Sequence, residues 1–178
     1  MIAISLAFDG GDVKYSRALD DLGRDIKNYR TLFQAFIGWF ETGDTGLPAL
    51  PAEESPMLKI WKSQGELIGG KWSNKSEKYV NWKNKNWQKS RLFPVPISRN
   101  NLQVLSGRTL AGLLNSQTEG AVRKVGSQTL EYGIENDYSK KWQEERKILD
   151  FYPGMARSMD RILASWIYNL NKGVITND

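Results

Sequence analysis

YSRALDDLGRDIKNYRTLFQAFIGWF, residues 15–40, carries the strongest periodic signal in the chain. Tyr15, Leu19, Leu22, Ile26, Tyr29, Phe33, Phe36 and Phe40 recur at spacings of four, three, four, three, four, three and four. An apolar residue every 3.5 positions keeps one stripe of an α-helix facing a partner, so the pattern predicts a long helix over 12–41. Asp12 stands where an N-cap belongs, and Gly43, Gly46, Pro48 and Pro51 stop the run. About 28 residues rising 1.5 Å each span roughly 42 Å, which is long for a helix of a globular domain. Such a helix packs on a sheet as a core element. Its strict period also suits a seam with a neighbouring subunit at one end.

Outward from that helix the other elements follow. Upstream, Ile2, Ile4, Leu6 and Phe8 alternate with small residues and stop at Asp9-Gly10-Gly11, which predicts a strand over 1–8. Downstream, residues 48–98 form a basic insertion rich in turns and tryptophan, with short helices expected over Pro56–Gln64 and Ser76–Lys89. Residues 100–135 hold a strand approach (Asn100–Leu105), a short helix (Gly107–Leu114) and two strands. Those strands, Ala121–Val125 and Thr129–Ile134, are joined by a Gly126-Ser127 turn as a hairpin. Residues 136–152, containing DYSKKWQEER (137–146), read as an exposed, charged loop or arm. Met159, Ile162, Leu163, Trp166, Ile167 and Leu170 then set a C-terminal helix over 155–171, ending before Gly173. The expected architecture is α+β in a single domain spanning 1–178: long N-terminal and C-terminal helices packed on a small, mostly antiparallel sheet, with extended loops.

Composition narrows the function. The 178 residues include neither cysteine nor histidine, so disulfides, thiol nucleophiles, zinc–thiolate sites and imidazole bases are all excluded. An all-carboxylate site stays open in principle, yet the acidic residues form no constellation, and Asp20-Asp21 read as a solvated helix face. The chain is therefore not expected to be an enzyme or to use a cofactor or metal. Its apolar runs fall short of the roughly 20 residues of a membrane span, and Met1–Phe8 lacks the basic leader of a secretory signal.

Charge is uneven. Nine basic residues between Lys59 and Arg91 face only Glu66 and Glu77, a local +7 within a chain whose total is +5. Such an excess suits an acidic partner. Within it, WSNKSEKYVNWKNKNWQKSR (72–91) interleaves rings with Lys and Asn, a pattern that can hold a nucleic-acid backbone while rings stack on bases. The same spacing also lets Trp72, Tyr79, Trp82 and Trp87 share a buried helical face, leaving the lysines as solvated or interfacial surface. The candidate interaction surface is Lys71, Trp72, Lys75, Lys78, Lys83, Lys85, Lys89 and Arg91, joined by Lys140, Lys141, Trp142 and Arg146 of the charged arm. Gly69-Gly70 lacks the GK[ST] of a P-loop and reads as a tight turn that positions Trp72. Ser106-Gly107-Arg108 could receive an anion at a helix start, but reads more simply as cap and turn, with Leu110, Leu113 and Leu114 packing behind it.

Taken in order, Gly65…Gly69-Gly70-Lys71-Trp72, LQVLSGR (102–108) leading to Leu113-Leu114, Gly126-Ser127…Tyr132-Gly133, and Pro153 with Arg157 entering the last helix form a pattern. Over roughly residues 13 to 170 it resembles the virion-morphogenesis (tail-completion) family of tailed phages. The sequence departs from that family in having Ser106 for the usual threonine, an extra residue between Arg108 and Leu110, and no His-Gln-Phe-Gly after the tyrosine. The resemblance implies a structural protein of the virion, assembled in the host cytoplasm and located at the head–tail junction. It further implies a tail-terminator-like subunit in a homo-oligomeric ring, expected to be a hexamer. Implied partners are the tail tube or sheath protein and a head-closure or adaptor protein, with non-specific contact to packaged DNA and no membrane. The alternative is a nucleic-acid-binding module built on the basic Trp/Lys segment.

Overall fold

Alternation in the first residues is expressed directly: in β1 (Ile2–Ala7), Ile2 and Ile4 are buried while Ser5 is exposed. The computed structural model describes residues 1–7, 29–70, 72, 76–90 and 107–176, with backbone only for 87–90 and 146. After β1 come α1 (Arg30–Thr42), α2 (Pro56–Lys62), a 3-10 turn (Glu66–Ile68), α3 (Glu77–Ser90) and α4 (Arg108–Leu114). The chain then forms β2 (Ala121–Val125), β3 (Thr129–Ile134), α5 (Ser139–Arg146) and α6 (Pro153–Asn171). The strands make an antiparallel three-stranded sheet in the order β1-β3-β2, so the class is α+β as the periodicities predict. The expected strand approach at 100–105 lies outside the described residues. By contact the chain clusters into two compact units, Met1–Ala3 with Pro56–Val122 and Gly133–Phe151, and Ile4–Ser55 with Arg123–Tyr132 and Tyr152–Asp178.

In the second of these units α1 packs against α6. Leu32, Phe33, Phe36, Trp39 and Phe40 bury one side of α1, and Ile162, Leu163, Trp166, Ile167 and Leu170 bury one side of α6. Each such side chain removed from water contributes about 1.5–3 kcal/mol before entropy is counted. The expected helix over 12–41 is corrected at its start. Tyr29 has φ −109° and ψ 20°, and its amide donates to Ser127 O at 2.7 Å. The helix therefore begins at Arg30, where the hairpin turn has captured the preceding amide. Residues 12–28 lie outside the described set. Termination follows the sequence: Gly43 takes φ +85° and donates to Trp39 O at 2.9 Å, and a side chain there would run into the Glu53 carbonyl. Pro153 opens α6 after an extended Tyr152, as its fixed φ and missing N–H favour.

A buried ion pair lies in the same unit. Arg123 Nε meets Glu41 Oε1 at 2.8 Å, with the two side chains 9% and 14% exposed. The Arg123 guanidinium also covers the Tyr132 ring at 3.9 Å, and that ring packs 4.7 Å from Phe40. Burial, together with the Glu41 charge and against that of Arg123, keeps the Tyr132 hydroxyl well above the usual tyrosine range.

The first unit packs α2 against α4. Met57, Ile60 and Trp61 from α2 are buried, as are Leu110 and Leu113 from α4. Gly133 runs so close to β1 that a Cβ would fall 2.6 Å from Ala3 Cα. The charged arm is corrected from loop to helix. Asn136 Oδ1 accepts from the amides of Tyr138 (3.1 Å) and Ser139 (2.8 Å), an Asx turn that starts α5. Lys141 and Glu145 then pair across one helical turn, and the Tyr138 and Trp142 rings lie 6.2 Å apart. At the far end Gln143 Oε1 accepts from the amides of Ile148 and Leu149, both at 2.9 Å, which ties down the exit.

Candidate interaction surface

The surface is built from the turn that closes α2. Gln64 donates to Trp61 O at 3.2 Å and Gly65 to Ile60 O at 3.0 Å, the paired bonds of a helix end that turns left-handed. Gln64 and Gly65 accordingly have φ of +52° and +84°. The missing side chain of Gly65 leaves space for Trp72, whose indole carbons Cδ1 and Cε2 would sit 2.8 and 2.9 Å from a Cβ there. Trp72 in turn meets Trp61 edge-on at 5.0 Å and donates Nε1 to Lys147 O at 3.4 Å. The Gly69-Gly70 region is thus a turn that seats a tryptophan, as its sequence implies, and Trp72 is buried. Its expected place on the interaction surface is corrected: a pocket between Trp61 and the end of α5 takes the ring out of solvent.

From Ser76, whose Oγ accepts the Tyr79 amide at 3.3 Å, the chain enters α3. One face of α3 turns inward, with Tyr79, Val80 and Asn86 half-buried and Lys83 only 1% exposed. Lys83 is therefore also corrected as a surface residue. Its position shares the face of Tyr79 and Val80, and burial lowers its ammonium to about 8. The opposite face presents Lys78, Asn81, Trp82 and Lys85, all exposed and spaced i, i+3, i+4, i+7. Trp82 is 47% exposed, and its ring lies 6.0 Å from that of Tyr79 with the planes 33° apart. Lys71, Lys75 and Arg91 lie outside the described residues, as do the side chains of Lys89 and Arg146.

On α5, Lys140 and Lys141 are exposed and Trp142 is half-buried beside the exposed Tyr138. Here charge largely cancels, because Glu144 and Glu145 share the helix and Lys141 is paired with Glu145 at 3.7 Å. The two aromatic pairs, Tyr79–Trp82 and Tyr138–Trp142, did not emerge from the charge pattern. Their i,i+3 and i,i+4 spacings are the sequence signal that points to them.

In the second unit, Trp39, Thr45, Leu50, Glu53, Arg161 and Ile162 border a cleft of about 10 Å³, room for one water, where ligand pockets hold about 300–1,000 Å³. Glu53 is occupied there as the acceptor of Trp39 Nε1 at 2.8 Å. Among the described residues no group of three His, Cys, Asp or Glu is placed to hold a metal ion, and no helix is long and apolar enough to cross a membrane.

Comparison with protein-family models, curated proteins and solved structures finds no match.

Proposed function

We propose that the chain is a structural virion protein of the phage neck, a tail-completion subunit that assembles into a ring, caps the tail tube and joins it to the head. The reading rests on the resemblance in the sequence, and one observation about its residues supports it. Several described positions that carry the resemblance are packing positions, while Gly69, Ser127, Pro153 and Arg157 are exposed. Gly65 makes room for Trp72, Leu110 and Leu113 are fully buried, Tyr132 is enclosed beneath Arg123, and Gly133 lies against β1. A catalytic motif holds reactive groups at an opening. This set instead maintains a frame and leaves exposed helix faces, basic on α3 and mixed on α5, to meet neighbours.

Ring contacts between identical subunits are heterologous, so one surface must complement a different one. An uneven charge distribution, +7 over residues 59–91 and −2 elsewhere, suits that requirement. Light scattering on the chain, alone and after mixing with tail tubes of its phage, tests the proposal. A discrete ring-sized oligomer, formed freely or only on the tubes, supports it. A chain that remains monomeric and does not co-sediment with the tubes would falsify it.

A further inference from the structure

We infer that the exposed face of α3 is a binding site for single-stranded nucleic acid, with Trp82 as the stacking platform and Lys78 and Lys85 as the phosphate contacts. This stands independently of ring formation. Seven residues separate the two lysines, about 10 Å along the helix axis, with Trp82 on the same face between them. That is the arrangement a strand needs to lay one base on a ring while flanking phosphates meet cations.

Three features favour this occupant. The indole is 47% exposed on a helix in which ten of the fourteen residues are polar or charged, and an apolar ring kept in water on a basic face gains most from a π-faced ligand. Tyr79 lies 6.0 Å away and supports the indole from the inward side, which orders the platform before binding. Asn81, exposed on the same stripe, adds a neutral amide able to donate and accept, which suits base edges better than a carboxylate partner. A duplex would hide its base faces, so an exposed ring recognises unpaired bases. Of the tryptophan side chains described in the basic insertion, Trp61 and Trp72 are buried and Trp82 is exposed.

Fluorescence anisotropy with the full chain and a labelled oligothymidylate tests the site. Binding should weaken roughly 5- to 150-fold for Trp82→Ala, as expected for one stacked base, and should be largely kept by Trp82→Phe. Replacing both Lys78 and Lys85 by Ala should weaken binding and reduce the slope of log affinity against log salt by about 1.4, at about 0.7 per phosphate. All three side chains face solvent, so circular dichroism should report unchanged folding. The inference is overturned by no binding, by equal binding of wild type and Trp82→Ala, by tighter binding to a duplex of equal length, or by equal binding to a polyglutamate peptide.

Discussion

Substituting Gly65 by alanine should destabilise the protein far more than the same change at Gly69, four residues on. Both glycines adopt left-handed backbone, with φ of +84° and +69°. A side chain costs each of them about 1–2 kcal/mol on that account. The surroundings differ. A Cβ at Gly69 meets nothing within 4 Å, whereas at Gly65 it lies 2.8 Å from Trp72 Cδ1 and closer still to Nε1. Trp72 cannot simply withdraw, since it is wedged edge-on to Trp61 and tied to Lys147. Overpacking of this kind adds about 1–3 kcal/mol. The expected losses are therefore roughly 2–5 kcal/mol for Gly65→Ala and 1–2 kcal/mol for Gly69→Ala, read from urea unfolding followed by tryptophan fluorescence. Trp72→Ala alone should cost about 3–5 kcal/mol, and combined with Gly65→Ala less than the sum, because the clash disappears with the ring. Equal losses at Gly65 and Gly69 would refute the assignment of Gly65 as the seat of Trp72.

Two further expectations concern charges. Arg123→Ala should cost about 3–5 kcal/mol by leaving Glu41 without its buried partner, and the Arg123→Met, Glu41→Leu double variant should recover most of it; a single variant of wild-type stability contradicts the pairing. For Lys83, burial lowers the folded-state value to about 8 against 10.5. Between those values the unfolded chain holds the extra proton, so this group's contribution to stability rises from pH 8 to pH 10.5 and is lost as pH falls through 8. Subtracting the stability profile of Lys83→Met should expose that rise, and a flat difference from pH 8 to 10 excludes it. Tyr132 acts in the opposite sense: its raised value makes stability fall once pH exceeds about 10, where unfolded tyrosine ionises.

Local chemistry was legible wherever one segment decides its own structure. The α6 stripe, the hairpin β2–β3, the short α4 and the left-handed stop at Gly43 all follow from periodicity and turn residues. What misled was competition from distant groups. At Tyr29 the helical period continues unbroken, but the Ser127 carbonyl takes the amide and sets the helix start at Arg30. In the charged arm, high charge density suggested a loop, while the Asn136 turn and i,i+4 pairs make a helix. Within the basic segment the count of lysines and rings was visible and their sorting was not. Trp72, upstream of α3, is buried by contacts with the distant Trp61 and Lys147, and Lys83 by its position on the inner face of α3, which the spacing of the lysines does not reveal. The Arg123–Glu41 pair joins residues 82 apart and left no local trace.

Electron microscopy of tails incubated with the tagged chain tests the central claim most directly. The account predicts rings of this protein at the head-proximal end of the tail tube and at no other place along it. Tails that carry no such density, or chain scattered along the tube or absent from assembled virions, would contradict it.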